Sequence, residues 1–574
     1  RAARVAAQAD EAHGPGTSRV TWCDNSVYML STGMSKITRE REFAVWDARS
    51  LAAPIGRTRV GGTSSGFLLP RLQYGLGLLA LCGRGDATVR QALFDYSTGK
   101  TAAISTTTVG GVARAYAFVP RSSCDVMSCE VTRLLKLCDD GVQPVSVIIP
   151  RRDKLRFHEE LFPPAPGLRP SLVAHDWLSG SNLPPHLEAL PPPQLAPRVQ
   201  WDHSPAALPV APAAAPAAAV PFQPAEPAPK PSVSTPRDSP RNGQQNPDGK
   251  AGAIAREVKK DREEEPVAPS ESPEGALVGE AAVVGGEGNG EACQPRNGAM
   301  PSRPSWRGSA PKIKASETCY LRHVFGVETK GAKPVFNLSP LLTSLDGPIL
   351  AASSSFWAIP WVGGGGPVYV STMSASGKVE PDCGVVNGHR ASVNSIAFSP
   401  FQPSLMATGS EDSTVKLWSL PDGGLAKGSM GADDALADLT FNSTAVRRVA
   451  LYVEFNPVAE NVLMTTNADH SVQLCDVAAG GDTAVSTIDV HTKTINSACF
   501  NGNGSVIATT CRDGKIRVLD PRAGSVVAEG PGHQGRKAMK AAWCFRAGGQ
   551  EVLATTGCAA AGHRQICLWD PVRI

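Results

Sequence analysis

Short apolar runs recur along both ends of the chain, and Gly, Asp, Asn and Pro residues separate them. In the C-terminal part the runs are spaced as antiparallel strands are, and they do not alternate with helical patterns. Many short strands joined by turn residues are typical of layered or closed β architectures. The pattern therefore predicts an all-β fold.

Four longer segments repeat this pattern near the C-terminus. They cover residues 388–420, 447–477, 491–521 and 532–571. When their closing strands are aligned, they recur at intervals of about 40 to 55 residues, a period typical of propeller repeats. Since the repeats open on Gly-His and close on Trp-Asp in their best examples, each is predicted to be one blade of a WD-repeat β-propeller.

Polar residues stand at fixed places in these repeats. In the stretch SEDSTVKLW, Asp412 occupies a turn between two strands, where a carboxylate accepts backbone N–H bonds. His389 is placed to reach this carboxylate, and Trp418 is placed to pack beside both. We therefore expect a buried polar network, here called the blade clamp, which fastens the strands of one blade. Residues assigned to the same role elsewhere are Trp46, Asp469, His491, Asp513, His533 and Trp569.

A His–Asp pair is also half of a catalytic triad, so His389 and Asp412 invite a catalytic interpretation. The repetition of the pair along the chain favours a structural role instead. We predict no catalytic residue, no cofactor and no metal ligand. Cys475 and Leu519 stand where two repeats would have Trp, and those blades are expected to lack part of the clamp.

A segment near the start of the chain resembles the last repeat. Residues 20–49 match residues 541–573, including a lengthened turn before the closing Trp-Asp. The match predicts that both segments are the same blade in two copies of one propeller. It also leads us to expect a piece of a longer tandem protein or an incomplete gene product.

The composition changes abruptly between residues 191 and 315, where Pro, Ala, Gly and Ser dominate. Such a segment buries too little apolar surface to offset its ordering entropy, so it is predicted to be a disordered linker. A flexible chain of this length spans roughly 60 Å, so it does not fix the distance between its ends.

Charge and cysteine content exclude several functional classes. The net charge of +3 is nearly balanced over 574 residues, which gives no reason to expect a nucleic-acid partner. The apolar run from Phe67 is interrupted by Pro70 and Arg71, so no transmembrane segment is predicted. The 14 cysteines are scattered through apolar runs, as reduced thiols of a cytosolic protein are.

Three further stretches carry a resemblance to a known family. Residues 320–340, YLRHVFGVETKGAKPVFNLSP, resemble the basic signature that opens a coronin. Residues 65–96 resemble the stretch after the last recognisable WD repeat of a coronin. Residues 116–137, 145–164 and 175–180 resemble its final blade and the extension that packs under the propeller. Because two such copies flank a Pro/Ser-rich segment, the sequence resembles the tandem-propeller type of this family.

The resemblance implies an organisation in three parts. Residues 1–190 would be the last blades and extension of a first propeller, residues 191–315 the linker, and residues 316–574 the signature and about five blades of a second. Seven blades per copy are implied. The two parts are expected either to close into one ring or to remain as two separate arcs.

The resemblance also implies a function. Coronins bind and regulate F-actin, and the tandem members act in membrane traffic and Golgi organisation, which implies a cytoplasmic, cytoskeletal or Golgi-associated protein with peripheral membrane association. An Arg of the short coronins that contacts filaments is replaced here by Asn337. Residues that could supply positive charge nearby are Arg322, Lys330, Lys333 and Arg390. The alternative is a general WD-repeat adaptor for ubiquitin-ligase or vesicle-coat proteins, without direct actin binding.

Overall fold

The computed structural model describes residues 5–24, 26–61, 66–153, 156–190, 323–329, 334–342, 349–425, 430–440, 452–467, 469–479, 484–535, 537–545 and 551–570. The described part is almost entirely β-sheet. The predicted linker falls in the undescribed range 191–322. The assignment of residues 1–190 and 316–574 to two copies stays a prediction.

The first sheets lie in the N-terminal part. Strand β1 (Val5–His13) comes first and belongs to the last blade. Blade 1 contains β2 (Arg19–Trp22), β3 (Tyr28–Met34), β4 (Arg41–Asp47) and β5 (Gly56–Arg59). Blade 2 contains β6 (Leu68–Gln73), β7 (Leu78–Gly83), β8 (Thr88–Asp95) and β9 (Lys100–Thr108). Blade 3 begins with β10 (Ala115–Val119), β11 (Glu130–Leu137) and β12 (Gly141–Ile148).

A segment that we call the arm (residues 161–190) follows blade 3. It contains β13 (Ala165–Pro166), helix α1 (Ala174–Leu178) and β14 (Leu187–Glu188), and the two strands pair with each other. After the undescribed range, β15 (Phe325–Glu328) completes blade 3, and β16 (Val335–Phe336) pairs with the beginning of β12.

The remaining blades follow in chain order. Blade 4 contains β17 (Ala351–Ala352), β18 (Phe356–Pro360), β19 (Val368–Thr372) and, after the short β20 (Gly377–Lys378), β21 (Val385–Val386). Blade 5 contains β22 (Val393–Phe398), β23 (Leu405–Ser410), β24 (Thr414–Ser419) and β25 (Ala437–Thr440). Blade 6 contains β26 (Tyr452–Phe455), β27 (Val462–Thr466), β28 (Val472–Asp476) and β29 (Ala484–Ile488).

Blade 7 contains β30 (Ile495–Phe500), β31 (Ile507–Cys511), β32 (Lys515–Asp520) and β33 (Ser525–Pro531). Blade 8 contains β34 (Lys540–Phe545), β35 (Glu551–Cys558), β36 (Arg564–Trp569) and the N-terminal β1. In each blade the second strand is buried along almost its whole length, because neighbouring blades cover both of its faces. The fourth strands are more exposed.

Two strand pairings join the N-terminal and C-terminal parts of the chain. In blade 3, Val147 of β12 pairs with Gly326 of β15. In blade 8, Gln8 of β1 pairs with Cys567 of β36. Each blade thus receives its fourth strand from the other part of the chain, so the two parts share backbone hydrogen bonds at both junctions.

Apolar clusters fill the space between every pair of neighbouring blades. Trp22 and Trp46 of blade 1 pack with Val552 and Ile566 of blade 8. Similar clusters lie between blades 1 and 2, 2 and 3, 3 and 4, 4 and 5, 5 and 6, 6 and 7, and 7 and 8. The eight described blades therefore close into one ring, and the alternative of two separate arcs is wrong.

The ring has one blade more than the seven that the resemblance implied for a single propeller. The reason lies in the repeated segment. Strands β2–β4 and strands β34–β36 correspond to the two sequence stretches that match each other, and the structure keeps both as neighbouring blades. A ring that holds this blade twice needs eight positions.

The arm belongs to the N-terminal part of the chain but packs against blades 6 and 7. Leu172 bridges to Ala459, and the Val458 carbonyl accepts a bond from the Leu172 amide. Trp177 of α1 is completely buried, and the guanidinium of Arg522 lies 5.1 Å from its ring centre. The arm therefore adds a third connection between the two parts of the ring.

Candidate functional site: blade clamps and the exposed basic surface

The blade clamp of blade 5 is a connected set of buried polar groups. His389 Nδ1 lies 3.1 Å from Asp412 Oδ2, and its Nε2 lies 2.8 Å from Thr408 Oγ1. The indole Nε1 of Trp418 donates to the same Thr408 hydroxyl at 2.8 Å. The network therefore connects the loop before β22 with strands β23 and β24.

The position of Asp412 in a turn allows its carboxylate to accept several hydrogen bonds. It stands in the turn between β23 and β24, where it accepts bonds from the amide and hydroxyl of Thr414, and it also accepts from the Arg390 amide. Burial alone raises the pKa of the Asp412 carboxyl. The bonds from His389, Arg390 and Thr414 outweigh burial and hold the pKa well below its ordinary value. Asp412 is therefore ionised at neutral pH.

Blade 8 has the same arrangement with one substitution. His533 Nε2 lies 3.0 Å from the Thr555 hydroxyl, which also accepts a bond from Trp569 Nε1 at 2.9 Å. The amide oxygen of Gln565, on β36, lies 3.3 Å from His533 Nδ1 and takes the place of the turn carboxylate. Burial lowers the pKa of His533, so this ring is neutral.

Blade 1 contains a clamp that the sequence analysis found only in part. Trp46 was predicted, and its Nε1 donates to the Ser31 hydroxyl at 2.8 Å. The structure adds His13, whose Nε2 lies 2.8 Å from Ser31 Oγ and whose Nδ1 lies 2.9 Å from Glu42. The sequence pattern of this clamp is weak, because His13 follows Ala12 rather than Gly and because Glu42 lies on β4 rather than in the preceding turn.

In blade 7 an arginine separates the predicted His and Asp. Arg517 Nη1 lies 2.9 Å from His491 Nδ1 and forms an ion pair of 2.8 Å with Asp513. His491 and Asp513 are therefore not joined directly. Leu519 fills the position of the Trp and is completely buried. Burial, together with the Arg517 charge, lowers the pKa of His491 to about 4.

Among the described residues, one group has the residue types of a metal site. Ligand atoms of His491, Cys511 and Asp513 all lie within 4.8 Å of one another. Arg517 already occupies both His491 Nδ1 and the Asp513 carboxylate, and its positive charge opposes a cation. We therefore interpret the group as part of the blade and not as a metal centre.

Blade 6 keeps the turn residue but not the rest of the clamp. Asp469 accepts bonds from the amide and hydroxyl of Ser471, as a turn carboxylate does. Cys475 is buried where blades 1, 5 and 8 have Trp. Thr465 and Asn467 form a separate buried pair at 3.1 Å in the same blade.

The clamp of blade 5 has no free ring nitrogen for a substrate. Both nitrogens of His389 are engaged, by Asp412 and Thr414 on one side and by Thr408 on the other. The side chains of His389 and Asp412 are 2% and 9% exposed, so no reactant reaches them. A general base needs a free nitrogen near its substrate. In blade 5 these contacts join the loop before β22 to strands β23 and β24.

Of the four predicted filament contacts, the structure describes Arg390. It is exposed at the turn beside His389, and its backbone amide is bound to Asp412. Arg322, Lys330 and Lys333 lie outside the described residues.

Asn337, which stands in the place of the filament-contacting Arg, has a structural role here. Its φ angle is +67°, a left-handed conformation that Asn adopts more readily than most residues. Its side-chain amide donates to the Val379 carbonyl at 2.7 Å. The side chain thus fixes a turn.

Three cysteines on the strands differ in their surroundings. Cys82 and Cys567 are buried, and Cys499 is half-buried. Burial raises the pKa of the Cys82 and Cys567 thiols to about 12 in each case, so both are protonated at neutral pH.

No helix among the described residues has the length and hydropathy needed to span a bilayer.

Comparison with protein-family models identifies four matched segments. The WD domain, G-beta repeat, matches residues 382–419 and 482–520, which fall on blades 4–5 and 6–7. A type of WD40 repeat matches residues 142–185, from β12 into the arm. A domain of unknown function (DUF1899) matches residues 316–378, which include β15 and blade 4 up to β20.

Comparison with known proteins finds coronins. The chain is 27% identical to human Coronin-7 over 577 residues, which cover 98% of this chain and 55% of that protein. It is 34% identical to human Coronin-2A over 271 residues, 46% of this chain and 48% of the relative. The solved WD40 domain of Toxoplasma gondii coronin is 28% identical and covers 41% of this chain and 59% of that one, with a TM-score of 0.37. The chain spans about half the length of the first relatives that it matches. It is similar to the coronin family of WD-repeat proteins, and in particular to the tandem-propeller members of that family.

Proposed function

We propose that this chain is a non-catalytic scaffold that binds actin filaments and regulates the actin cytoskeleton. The observation that carries the proposal is the match to Coronin-7 along 98% of the chain. Because the chain spans 55% of that relative, the activity of the whole relative is carried over here as a proposal. A cytoplasmic, cytoskeletal location and a link to Golgi and membrane traffic belong to the same proposal.

The polar groups of the ring support a scaffold and not an enzyme. The His residues of blades 1, 5 and 8 use their ring nitrogens inside the blades. We propose that these clamps are structural. Neighbouring blades cover each other's faces, which leaves the connecting loops free to vary on the rims. Rim loops on a rigid ring are suited to binding other proteins.

The basic surface near the coronin signature is the proposed filament contact. The outer surface of actin is acidic, so exposed cations would favour association. Arg390 is exposed, and its side chain is not used by the clamp. Arg322, Lys330 and Lys333 are assigned to the same surface from the sequence.

The second candidate is a WD-repeat adaptor for ubiquitin-ligase or vesicle-coat proteins. The observation that favours it is the use of Asn337 to fix a turn through the Val379 carbonyl, because an uncharged turn residue replaces the filament-contacting Arg.

Co-sedimentation with actin filaments at physiological salt separates the two candidates. If the first is right, the protein pellets with filaments, and the variants Arg322→Glu, Lys330→Glu and Arg390→Glu together abolish pelleting. Arg59→Glu, at an exposed position of β5, is the matched control and should pellet like the unmodified protein. A protein that stays in the supernatant at saturating filament concentration would favour the adaptor.

A further inference from the structure

Three loops meet at one end of the strands of blade 7. They are the entry loop of blade 7 (489–494), the turn between β31 and β32 (512–514) and the entry loop of blade 8 (532–535 and 537–539). The Arg512 amide donates to the Thr494 carbonyl at 2.9 Å, and the Gly532 amide donates to the Gly514 carbonyl at 2.7 Å. The turn of blade 7 is therefore in backbone contact with both entry loops.

Each of these loops carries an exposed cation. We call the three residues the basic rim, and they are Lys493, Arg512 and Lys537. Lys493 immediately precedes the residue whose carbonyl binds the Arg512 amide. On the other side, Thr510 Oγ1 donates to the carbonyl of Met539, which is two residues after Lys537. The backbone therefore brings all three cations to the neighbourhood of one turn.

The positive charge of the basic rim is not neutralised within the described part of the chain. Its three side chains form no ion pair or hydrogen bond with described residues. Asp513 forms an ion pair of 2.8 Å with Arg517, and Glu529 forms ion pairs with Lys515 and Arg517 at 2.5 and 2.7 Å. Asp489, which is exposed, is the one further carboxylate in the described residues of the three loops. The cations of the basic rim therefore outnumber the carboxylates that remain for them.

The surroundings of the basic rim indicate which class of anionic partner fits it. Among the described residues, none of the large exposed apolar side chains lies in these loops, whereas a surface that inserts into a bilayer needs apolar groups as well as cations. The whole chain has a net charge of +3, whereas nucleic-acid-binding domains are strongly basic. A small group of cations on a rigid framework suits a short acidic segment of a protein.

We propose that the basic rim binds an acidic peptide segment of another protein, whose carboxylates contact Lys493, Arg512 and Lys537. Ammonium and guanidinium groups form charge-assisted hydrogen bonds with carboxylates. Complementary charge also speeds the encounter and disfavours basic partners. This inference goes beyond the proposed function and does not depend on it, because Arg390 of the proposed filament contact belongs to the entry loop of blade 5.

Fluorescence anisotropy of a labelled octaglutamate peptide, titrated with the full chain, tests this proposal. Binding should weaken by about tenfold when the salt rises from about 50 mM to about 500 mM, because salt screens exposed charges. Lys493→Glu, Arg512→Glu and Lys537→Glu should each weaken binding by about three- to tenfold at low salt. Lys378→Glu, at an exposed position of β20, makes the same change in net charge and is the matched control. It should change the affinity by less than about twofold.

A milder variant keeps the test decisive if a charge reversal impairs folding. Lys493→Gln combined with Lys537→Gln removes two charges without adding new ones, and it should weaken octaglutamate binding by about threefold or more. The absence of octaglutamate binding at millimolar concentration and low salt would overturn the proposal. So would equal effects of Lys378→Glu and the basic-rim variants, since the net charge of the protein would then attract the peptide. Tighter binding of a single-stranded oligonucleotide or of phosphatidylserine vesicles by the same residues would overturn the assignment to a peptide.

Discussion

The backbone of Ile148 pairs with that of Phe325, so the strand that follows the Pro-rich segment completes a blade that precedes it. At the other junction, Ala9 pairs with Ile566. Propellers are commonly closed by a blade built from both chain ends, because this pairing ties the first and last parts of the ring together. Here two blades are shared in this way, and each joins the same two parts of the chain.

We predict that cutting the Pro-rich segment leaves the ring intact. With a protease site inserted at Gly249, the two pieces should still elute together, because two strand pairings, the interblade clusters at the two junctions and the packing of the arm hold them. Size-exclusion chromatography with light scattering measures this directly. Two peaks at the masses of the separate pieces would contradict the prediction.

Gly326 is predicted to be essential for the docking of β15. A Cβ atom at this position would lie 2.3 Å from Thr107 Oγ1, and the Gly326 amide donates to the same hydroxyl at 3.0 Å. Gly326→Ala should therefore destabilise the fold by about 1–3 kcal/mol. Thermal unfolding of the purified variant measures the loss.

The matched control is Gly56→Ala, because Gly56 is also on the fourth strand of its blade and a Cβ there would meet nothing within 4 Å. Its stability should be unchanged or slightly raised. If the two variants lose equal stability, the contact with Thr107 does not contribute to the effect of Gly326→Ala.

Thr408 is predicted to be the central residue of the blade 5 clamp. Thr408→Val keeps the shape of the side chain but removes the hydroxyl shared by His389 Nε2 and Trp418 Nε1. The free energy of unfolding should fall by about 1–3 kcal/mol, because buried polar groups lose their partner. Denaturant unfolding monitored by tryptophan fluorescence measures the change.

Thr509→Val in blade 7 is the comparison for this prediction. Thr509 is equally buried, but its hydroxyl makes one long bond, of 3.3 Å, to the Arg517 carbonyl, and Leu519 replaces the Trp. The free energy of unfolding of Thr509→Val should fall by about 1 kcal/mol or less. A larger loss at Thr509 than at Thr408 would contradict the assigned role of the clamp.

We predict that Glu454 makes the stability of the folded state depend on pH. Burial at the interface of blades 6 and 7 raises its pKa to about 8, despite a bond from the Phe500 backbone. The unfolded chain ionises this group near pH 4.3, so the folded state holds a proton that the unfolded state has lost between about pH 4.3 and 8. This contribution is complete below the lower value and is lost as the pH rises through the upper one.

The melting temperature should therefore fall between about pH 6 and 8, and Glu454→Gln should reduce this fall. Glu380→Gln, at an exposed position, is the matched control and should follow the unmodified protein. Identical pH profiles for the unmodified protein and Glu454→Gln would show that Glu454 is ionised throughout the range.

The sequence was sufficient to predict the strands and the blade order of residues 388–569, because Asp412, Trp418 and their equivalents mark the turns and closing strands. The coronin resemblance and the WD-repeat fold were also predicted correctly. The partners within each clamp were harder to predict. Arg517 reaches between His491 and Asp513 from a neighbouring strand, and repeat spacing carries no information on such an insertion.

The shared blades depend on contacts between residues that are far apart in the sequence. Neither Phe325 nor Ala9 belongs to a repeat motif, and their partners Ile148 and Ile566 lie on strands of the other part of the chain. A one-residue change of register would place each of them on the opposite face of its sheet. The number of blades likewise depends on how the matching segments around Trp46 and Trp569 pack against each other.

The central claim is that one chain closes into a single ring of eight blades. Cryo-electron microscopy of the purified protein tests this claim most directly, since class averages viewed down the channel show the blades individually. We predict a closed ring with eight blades, two of which contain strands from both parts of the chain. Averages that show a seven-bladed ring, or two open arcs, would contradict the account.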